Sequence, residues 1–377
     1  MGWMTRTIVA GIALVAVGPA PARAEGWRDG PDIFGYFQAQ FYSQTQLATQ
    51  EETNSFNLQQ LNLFLAHDLA PHWNAFVNVE AVNAFSSEHN WGSLNIEEAW
   101  VRFAPNDRFQ LKLGLLIPKF NRLNEIKNRM PVLPYIMRPL VYEASLANEV
   151  ALEEYVPRRA YAQAYGYFGL GGGVKLDYAV YLGNTAAVNG DPSRGQTGVD
   201  TTDAAMGGGR IGLRYRDVQI GVSGTGEPTN FFVGLEDTLG GSPDRFRNVP
   251  RARLGVDFSF EVWRFAFESE YIDVFYDEDA PEIDVNKRFA YFTLGIHATE
   301  RWFFYLSHWH TRQHFNDLVE PHEVDFFVPN MGFAFTKDDN VTFKAQFGTG
   351  EYRTDAPGAD EQSHDFDYTS FAVSVFF

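Results

Sequence analysis

The 377-residue chain has no cysteine. That absence excludes disulfides, thiolate metal sites and cysteine nucleophiles. No segment beyond the first two dozen residues approaches the roughly 20 uninterrupted apolar residues that a spanning helix needs, so helical insertion in a membrane is not expected. Positive charge is scarce as well: 30 Lys plus Arg stand against 48 Asp plus Glu. Nucleic-acid binding is not expected, because affinity for a phosphate backbone comes from clustered basic residues. No Gly-x-Ser-x-Gly elbow sets a nucleophile beside a base, so no enzymatic activity is expected, and no cofactor is implied.

What the chain has in quantity is aromatic surface, with 34 Phe and 17 Tyr, although its mean hydropathy is slightly negative. A barrel with an aromatic-banded exterior and a polar interior accounts for both. Met1–Ala24 has the make-up of a secretory signal: Arg6, then the short apolar stretch Ile8–Val17, then Ala22-Arg23-Ala24 as a small-x-small cleavage site. Its removal takes Arg6 and Arg23, leaving 28 basic against 48 acidic residues and a net charge of −20 for residues 25–377.

Across residues 25–377, about sixteen segments of some ten residues alternate apolar and polar side chains. Period two means strands with one apolar face, and ten residues suit a tilted strand that crosses a bilayer. The fifth segment is the cleanest, with Phe109, Leu111, Leu113, Leu115 and Ile117 against Arg108, Gln110 and Lys112. In the last, Phe371, Val373, Val375 and Phe377 alternate with Ser370, Ala372 and Ser374. An apolar terminal strand is a liability unless it pairs with the first and abolishes the sheet edge. The expected fold is all-β: a single transmembrane antiparallel barrel.

Connections alternate short and long. The short ones carry Pro, Asn, Asp or Gly and the long ones are polar, as periplasmic turns and external loops should be. Trp73, Tyr167, Phe168, Trp263, Trp302 and Phe377 fall beside short turns and are expected to form an aromatic girdle at one interface. The third long connection, Pro118–Pro157, is the longest, and a short helix is expected over Glu143–Tyr155.

The alternation puts Arg210, Arg214, Arg216, Arg251 and Arg253 on the polar face together with Lys112. These basic groups are expected to line the lumen and tune which ions pass, facing Glu149, Glu153 and Glu154 of the long loop. Pairing of the arginines with Asp257, Glu268 and Glu270 is the competing expectation. Glycines 212, 221 and 255 should leave room beside them. His308, His310, Arg312 and His314 form a second row expected to face inward; spacing names no third metal ligand, so no metal site is inferred. Two acidic groups, Asp277–Asp284 and Asp355–Asp367, are expected in external loops, where they are either solvated or hold divalent cations near lipopolysaccharide phosphates.

The signal segment, the sixteen alternating segments, the long third loop and the terminal Phe together resemble the Gram-negative outer-membrane porins. Glu98-Ala99-Trp100-Val101-Arg102-Phe103, then Phe109 to Pro118 and Phe120-Asn121, is similar to the segment before the third loop in the phosphate-selective porin group. That group's full ladder of lysines and arginines is absent, so phosphate specificity does not follow. The resemblance implies a water-filled channel in the outer membrane for small hydrophilic solutes or inorganic anions, with the third loop folded inward to narrow it and an external lid as the alternative; the inward phase of the arginines adds the expectation of a weak anion preference. It also implies a homotrimer, contact with lipid and lipopolysaccharide, and delivery by the barrel-assembly machinery, which reads the C-terminal Phe. The alternative is a structural or adhesive barrel with ion-binding acidic loops and a plugged lumen.

Overall fold

A computed structural model describes residues 30–47, 49–82, 93–143, 155–185, 205–227, 250–276, 284–316, 322–355 and 362–377. The expected signal segment, Glu149, Glu153 and Glu154, and most of the anticipated helix over Glu143–Tyr155 lie outside the described residues.

Sixteen strands follow one another: β1 Asp32–Thr45, β2 Glu52–Ala70, β3 Trp73–Val82, β4 Ser93–Asn106, β5 Phe109–Leu116, β6 Arg159–Gly171, β7 Val174–Asn184 and β8 Ala205–Tyr215 make the first half. The second half is β9 Val218–Glu227, β10 Arg251–Val262, β11 Phe265–Tyr276, β12 Asp284–His297, β13 Trp302–Asn316, β14 His322–Asp338, β15 Val341–Thr354 and β16 Gln362–Phe376. Each pairs antiparallel with its neighbours in chain order, and β1 pairs with β16 to close the barrel. Closure runs from Tyr36 opposite Phe376 to Gln44 opposite Tyr368. Gly35 and Phe377 then exchange both backbone hydrogen bonds, at 2.8 and 3.0 Å. No sheet edge is left for another chain to extend.

The alternation read from the sequence is the alternation of faces. Ile211, Leu213, Val222, Leu254 and Val256 are exposed on the outside, while Arg210, Ser223, Arg253 and Asp257 between them are buried. Strand to strand, the apolar outer positions form the wall that meets lipid, which is possible because closure lets the strands pair their backbone groups with one another. At the rim of short turns Trp73, Phe168, Trp263 and Phe377 are exposed, as a girdle requires. Trp302 joins them against Phe335, with ring centres 4.5 Å apart. Tyr167 does not: it shares the inner face with Tyr165, and its hydroxyl donates to Asp107 at 2.6 Å.

Three placements differ from expectation. The inner row of β13 is Tyr305, Ser307, Trp309, Thr311 and Gln313, all buried, so His308, His310, Arg312 and His314 face outward. Polarity misled there because the outer face turns polar toward the external end, where Arg312 pairs with Glu323 and Asp325 and the His310 ring stacks on Phe327 at 4.2 Å. Asp365 and Asp367 lie on β16, exposed, rather than in a loop, and Asp284 opens β12. Arg216 occupies the β8–β9 turn with φ of 53°, exposed, with its guanidinium over Tyr215. The longer strands are a finding too: β9 runs on to Glu227 through Gly224 and Gly226, where missing side chains hid the period.

Candidate functional site

The link between β5 and β6 begins at Ile117, and its described part to Glu143 is largely buried. Phe120, Leu123, Met130, Tyr135, Leu140 and Tyr142 pack into one core with inner-face side chains, most of them on β11 to β16, such as Ile272, Phe289, Trp309, Phe326 and Phe366, and a few on β5 to β8, such as Tyr161 and Tyr181. A 3₁₀ turn at Leu140–Tyr142 is its one helical element among the described residues. With so little regular structure, the backbone must find its hydrogen bonds elsewhere.

The inner faces of the strands supply them. Ser223 of β9 accepts from the Asn121 amide at 2.8 Å. Glu270 of β11 accepts from the Arg122 and Leu123 amides at 2.9 and 2.7 Å and from the Tyr142 hydroxyl at 2.6 Å. On β15, Gln346 accepts from the Ile136 and Met137 amides, both at 2.7 Å, and returns a bond to the Met137 carbonyl. Lys344 donates to the Met130 and Pro131 carbonyls at 2.8 and 3.1 Å and to Gln38. Gln60 of β2 accepts from the Met130 amide and donates to the Asn128 carbonyl. The Tyr135 hydroxyl donates to Glu268 and lies 2.8 Å from Thr293 Oγ1. Burial, with Glu268 adding, pushes the Tyr135 phenol well above its usual range, and burial with Glu270 does the same to Tyr142, so both remain donors.

Charge is concentrated on β3–β10. A β-bulge in β4 sets Glu98 opposite Asn78 but Ile96 opposite Val79, so that Glu97 and Glu98 both turn inward. Glu97 takes Arg158 and Asn128; Glu98 takes Arg129 at 3.0 Å. Across from them stand the arginines. Arg210 holds Asp257 with two bonds, 3.0 and 2.6 Å; Arg214 holds Asp177 at 2.8 Å; Arg251 and Arg253 converge on Glu227. Four of the five expected arginines therefore share the inner wall with Lys112, and each is ion-paired. Of the three acids anticipated as partners only Asp257 serves, since Glu268 and Glu270 bond the segment after β5 instead. The glycine positions are filled rather than open: side chains at 212 and 221 would strike Arg210, and one at 255 would strike Asn121.

Sequence reasoning missed Glu97, Glu227, Lys344 and Gln346. Two adjacent glutamates in an alternating strand were the available sign of the bulge; nothing in the sequence marked Lys344 or Gln346 beyond their polar phase. Among the described residues no group of three or more His, Asp or Glu is arranged to hold a metal.

No protein-family model matches the sequence and no curated protein matches it. Solved structures do. The anion-selective porin from Comamonas acidovorans superposes with a TM-score of 0.62 at 11% identity, covering 92% of this chain and 99% of that one. The outer membrane channel DcaP of Acinetobacter baumannii gives 0.60 at 10%, covering 92% and 98%. The trimer form of OmpT, an outer membrane protein of Vibrio cholerae, gives 0.56 at 10%, covering 93% and 100%. At such identities the likeness is one of fold. The chain has the general architecture of the Gram-negative outer-membrane porins, a closed sixteen-stranded antiparallel barrel.

Proposed function

We propose that the protein is an outer-membrane channel for passive diffusion of small hydrophilic solutes, and that the segment 117–143 crosses the lumen as its constriction. One observation carries this. A continuous segment is bonded to inner-face side chains of β2 and of β9, strands on opposite arcs of the ring. A chain that touches both arcs runs between them. The β11–β16 side of the interior takes most of the apolar packing, so the path for solutes is assigned to the β3–β10 side, where Lys119, Glu125, Asp177 and Arg214 keep partly exposed side chains.

A weak anion preference is part of the proposal, with Arg210, Arg214, Arg251, Arg253 and Lys112 as the basic wall and Glu149, Glu153 and Glu154 in the part of the loop beyond Glu143. So are cleavage of a signal after Ala24, insertion by the barrel-assembly machinery, and a homotrimer packed through apolar outer walls. Purified protein in planar bilayers should give discrete conductance steps, and mass measurement in mild detergent should give three copies. Absence of any ion flow from folded protein would overturn the channel; a monomer alone would overturn the trimer.

A further inference from the structure

Beside the paired arginines lies a cluster in which cations outnumber acids. Lys112 of β5 and Lys119, just beyond it, share one carboxylate: Glu125 Oε1 is 3.8 Å from Lys112 Nζ, and Oε2 is 3.8 Å from Lys119 Nζ. Both separations exceed a hydrogen bond, so each ammonium keeps its N–H groups for another acceptor. A third cation, Arg102, forms no ion pair among the described residues and bonds the side-chain oxygen of Asn74 at 3.2 Å. The Tyr165 ring lies near both lysines, with Lys119 Nζ 4.5 Å and Lys112 Nζ 5.5 Å from its centre, and Lys112 is also 4.7 Å from the centre of Trp100.

Two buried donors at the same place lack acceptors. The Tyr165 hydroxyl, on a residue 6% exposed, is approached by the Arg102 guanidinium, which can only donate to it, and finds no acceptor among the described residues; the Gln163 amide nitrogen, on a residue 0% exposed, has no hydrogen-bond partner among them. Gln163 is held in place by its other end, which accepts from the Lys119 amide at 2.8 Å. Buried donors in native proteins nearly always find a partner, so both are placed to donate to an acceptor that reaches the loosely held carboxylate's position.

We propose that this cluster is a binding subsite for the carboxylate of a small organic acid, and that Glu125 is a tethered competitor which occupies it in the absence of solute. The proposal deepens the channel reading and rests on it. The group already accommodated between the ammoniums is a carboxylate, one oxygen to each, and the faces of Trp100 and Tyr165 offer apolar contact for the body of the acid. Access comes from the side of Lys119 and Glu125, whose side chains are each 26% exposed. An incoming carboxylate displaces Glu125 and accepts from the lysines, the phenol and the amide at hydrogen-bond distance.

Titration calorimetry on the folded, detergent-solubilised protein tests this without requiring ion flow. Succinate should bind and its neutral diamide should not. Glu125→Gln should tighten succinate binding about tenfold, and Lys112→Gln with Lys119→Gln should weaken it at least tenfold. Retention of heat-modifiable gel migration shows that a variant is folded; should the double variant fail there, Lys119→Gln alone carries the same expectation. Unchanged or weaker binding by Glu125→Gln overturns the competitor, inorganic phosphate binding tighter than succinate overturns the carboxylate assignment, and native-like binding by the lysine variant overturns the subsite. A protein that conducts KCl but ignores succinate overturns this inference alone, whereas one that binds succinate but conducts nothing overturns only the channel.

Discussion

The Arg210–Asp257 pair shows how much of the interior depends on single side chains. Asp257 is 1% exposed, and both its oxygens are taken by one guanidinium, the fork-to-fork geometry that only Arg provides. Removing the cation leaves a desolvated carboxylate, at a cost of about 3–5 kcal/mol, whereas removing both partners leaves neither charge stranded. Arg210→Ala should therefore destabilise the folded barrel more than Arg210→Ala combined with Asp257→Ala, measured by urea unfolding in lipid vesicles. Equal losses would mean that the pair is solvated. The faces of these residues were legible in the sequence, because period two is all that orientation needs. Their partners were not. Asp257 was visible as an inward acid two strands from Arg210, but Glu227 belonged to a stretch that had no side chains at Gly224 and Gly226 to reveal a strand. On β13 the polar phase gave the wrong face outright, since a barrel's outer surface is apolar only over the hydrocarbon depth and His310 to His314 lie toward the end of the strand away from the Trp302 turn.

At the scale of an element, the segment after β5 is a loop made rigid from outside. Its own regular structure is one 3₁₀ turn, so its position is set by wall residues such as Lys344 and Gln346. Three oxygens surround the Lys344 ammonium, and Gln346 grips three backbone groups of two successive residues, Ile136 and Met137. Each neutral bond contributes about 0.5–1.5 kcal/mol and those to the ammonium more, so the two side chains together hold the far end of the segment by several kcal/mol. Lys344→Met with Gln346→Leu should leave the barrel assembled but free that end, giving larger and noisier single-channel currents. Conductance indistinguishable from native would mean that the segment does not limit the passage. Burial also keeps the Tyr135 and Tyr142 phenols protonated, so their bonds to Glu268 and Glu270 should survive mildly alkaline buffers without a change in conductance. The sequence announced the segment's length and place in the chain, yet not these anchors: a hydrogen bond between residues more than 200 positions apart depends on closure of the whole ring, which local pattern does not encode.

The whole molecule is held by that closure. Deletion of 368–377 would strip β1 and β15 of a shared partner and expose two edges, so the truncated chain should accumulate unassembled, with no heat-modifiable band; normal outer-membrane levels would contradict the closure argument. Selectivity is a whole-molecule property too, because charges of both signs compete for the permeating ion. The expected net charge of −20 favours cations at long range, but at 0.15 M salt exposed charges are screened over about 8 Å, so groups on the external face, such as Asp365 and Asp367, act weakly on an ion in the lumen. Inside, Arg210 and Arg214 each face their own acid at ion-pair distance and present dipoles more than charges, whereas Arg251 and Arg253 share Glu227, and Lys112 and Lys119 share Glu125. The surplus is positive. Reversal potentials in a salt gradient should therefore show a weak anion preference in the native channel. Joint replacement of Arg214 and Asp177 by Ser should leave it unmoved, and replacement of Lys112 and Lys119 by Gln should shift it toward cations. A native preference for cations, or a larger shift from the Arg214–Asp177 change than from the lysines, would show that the current runs past a different set of charges.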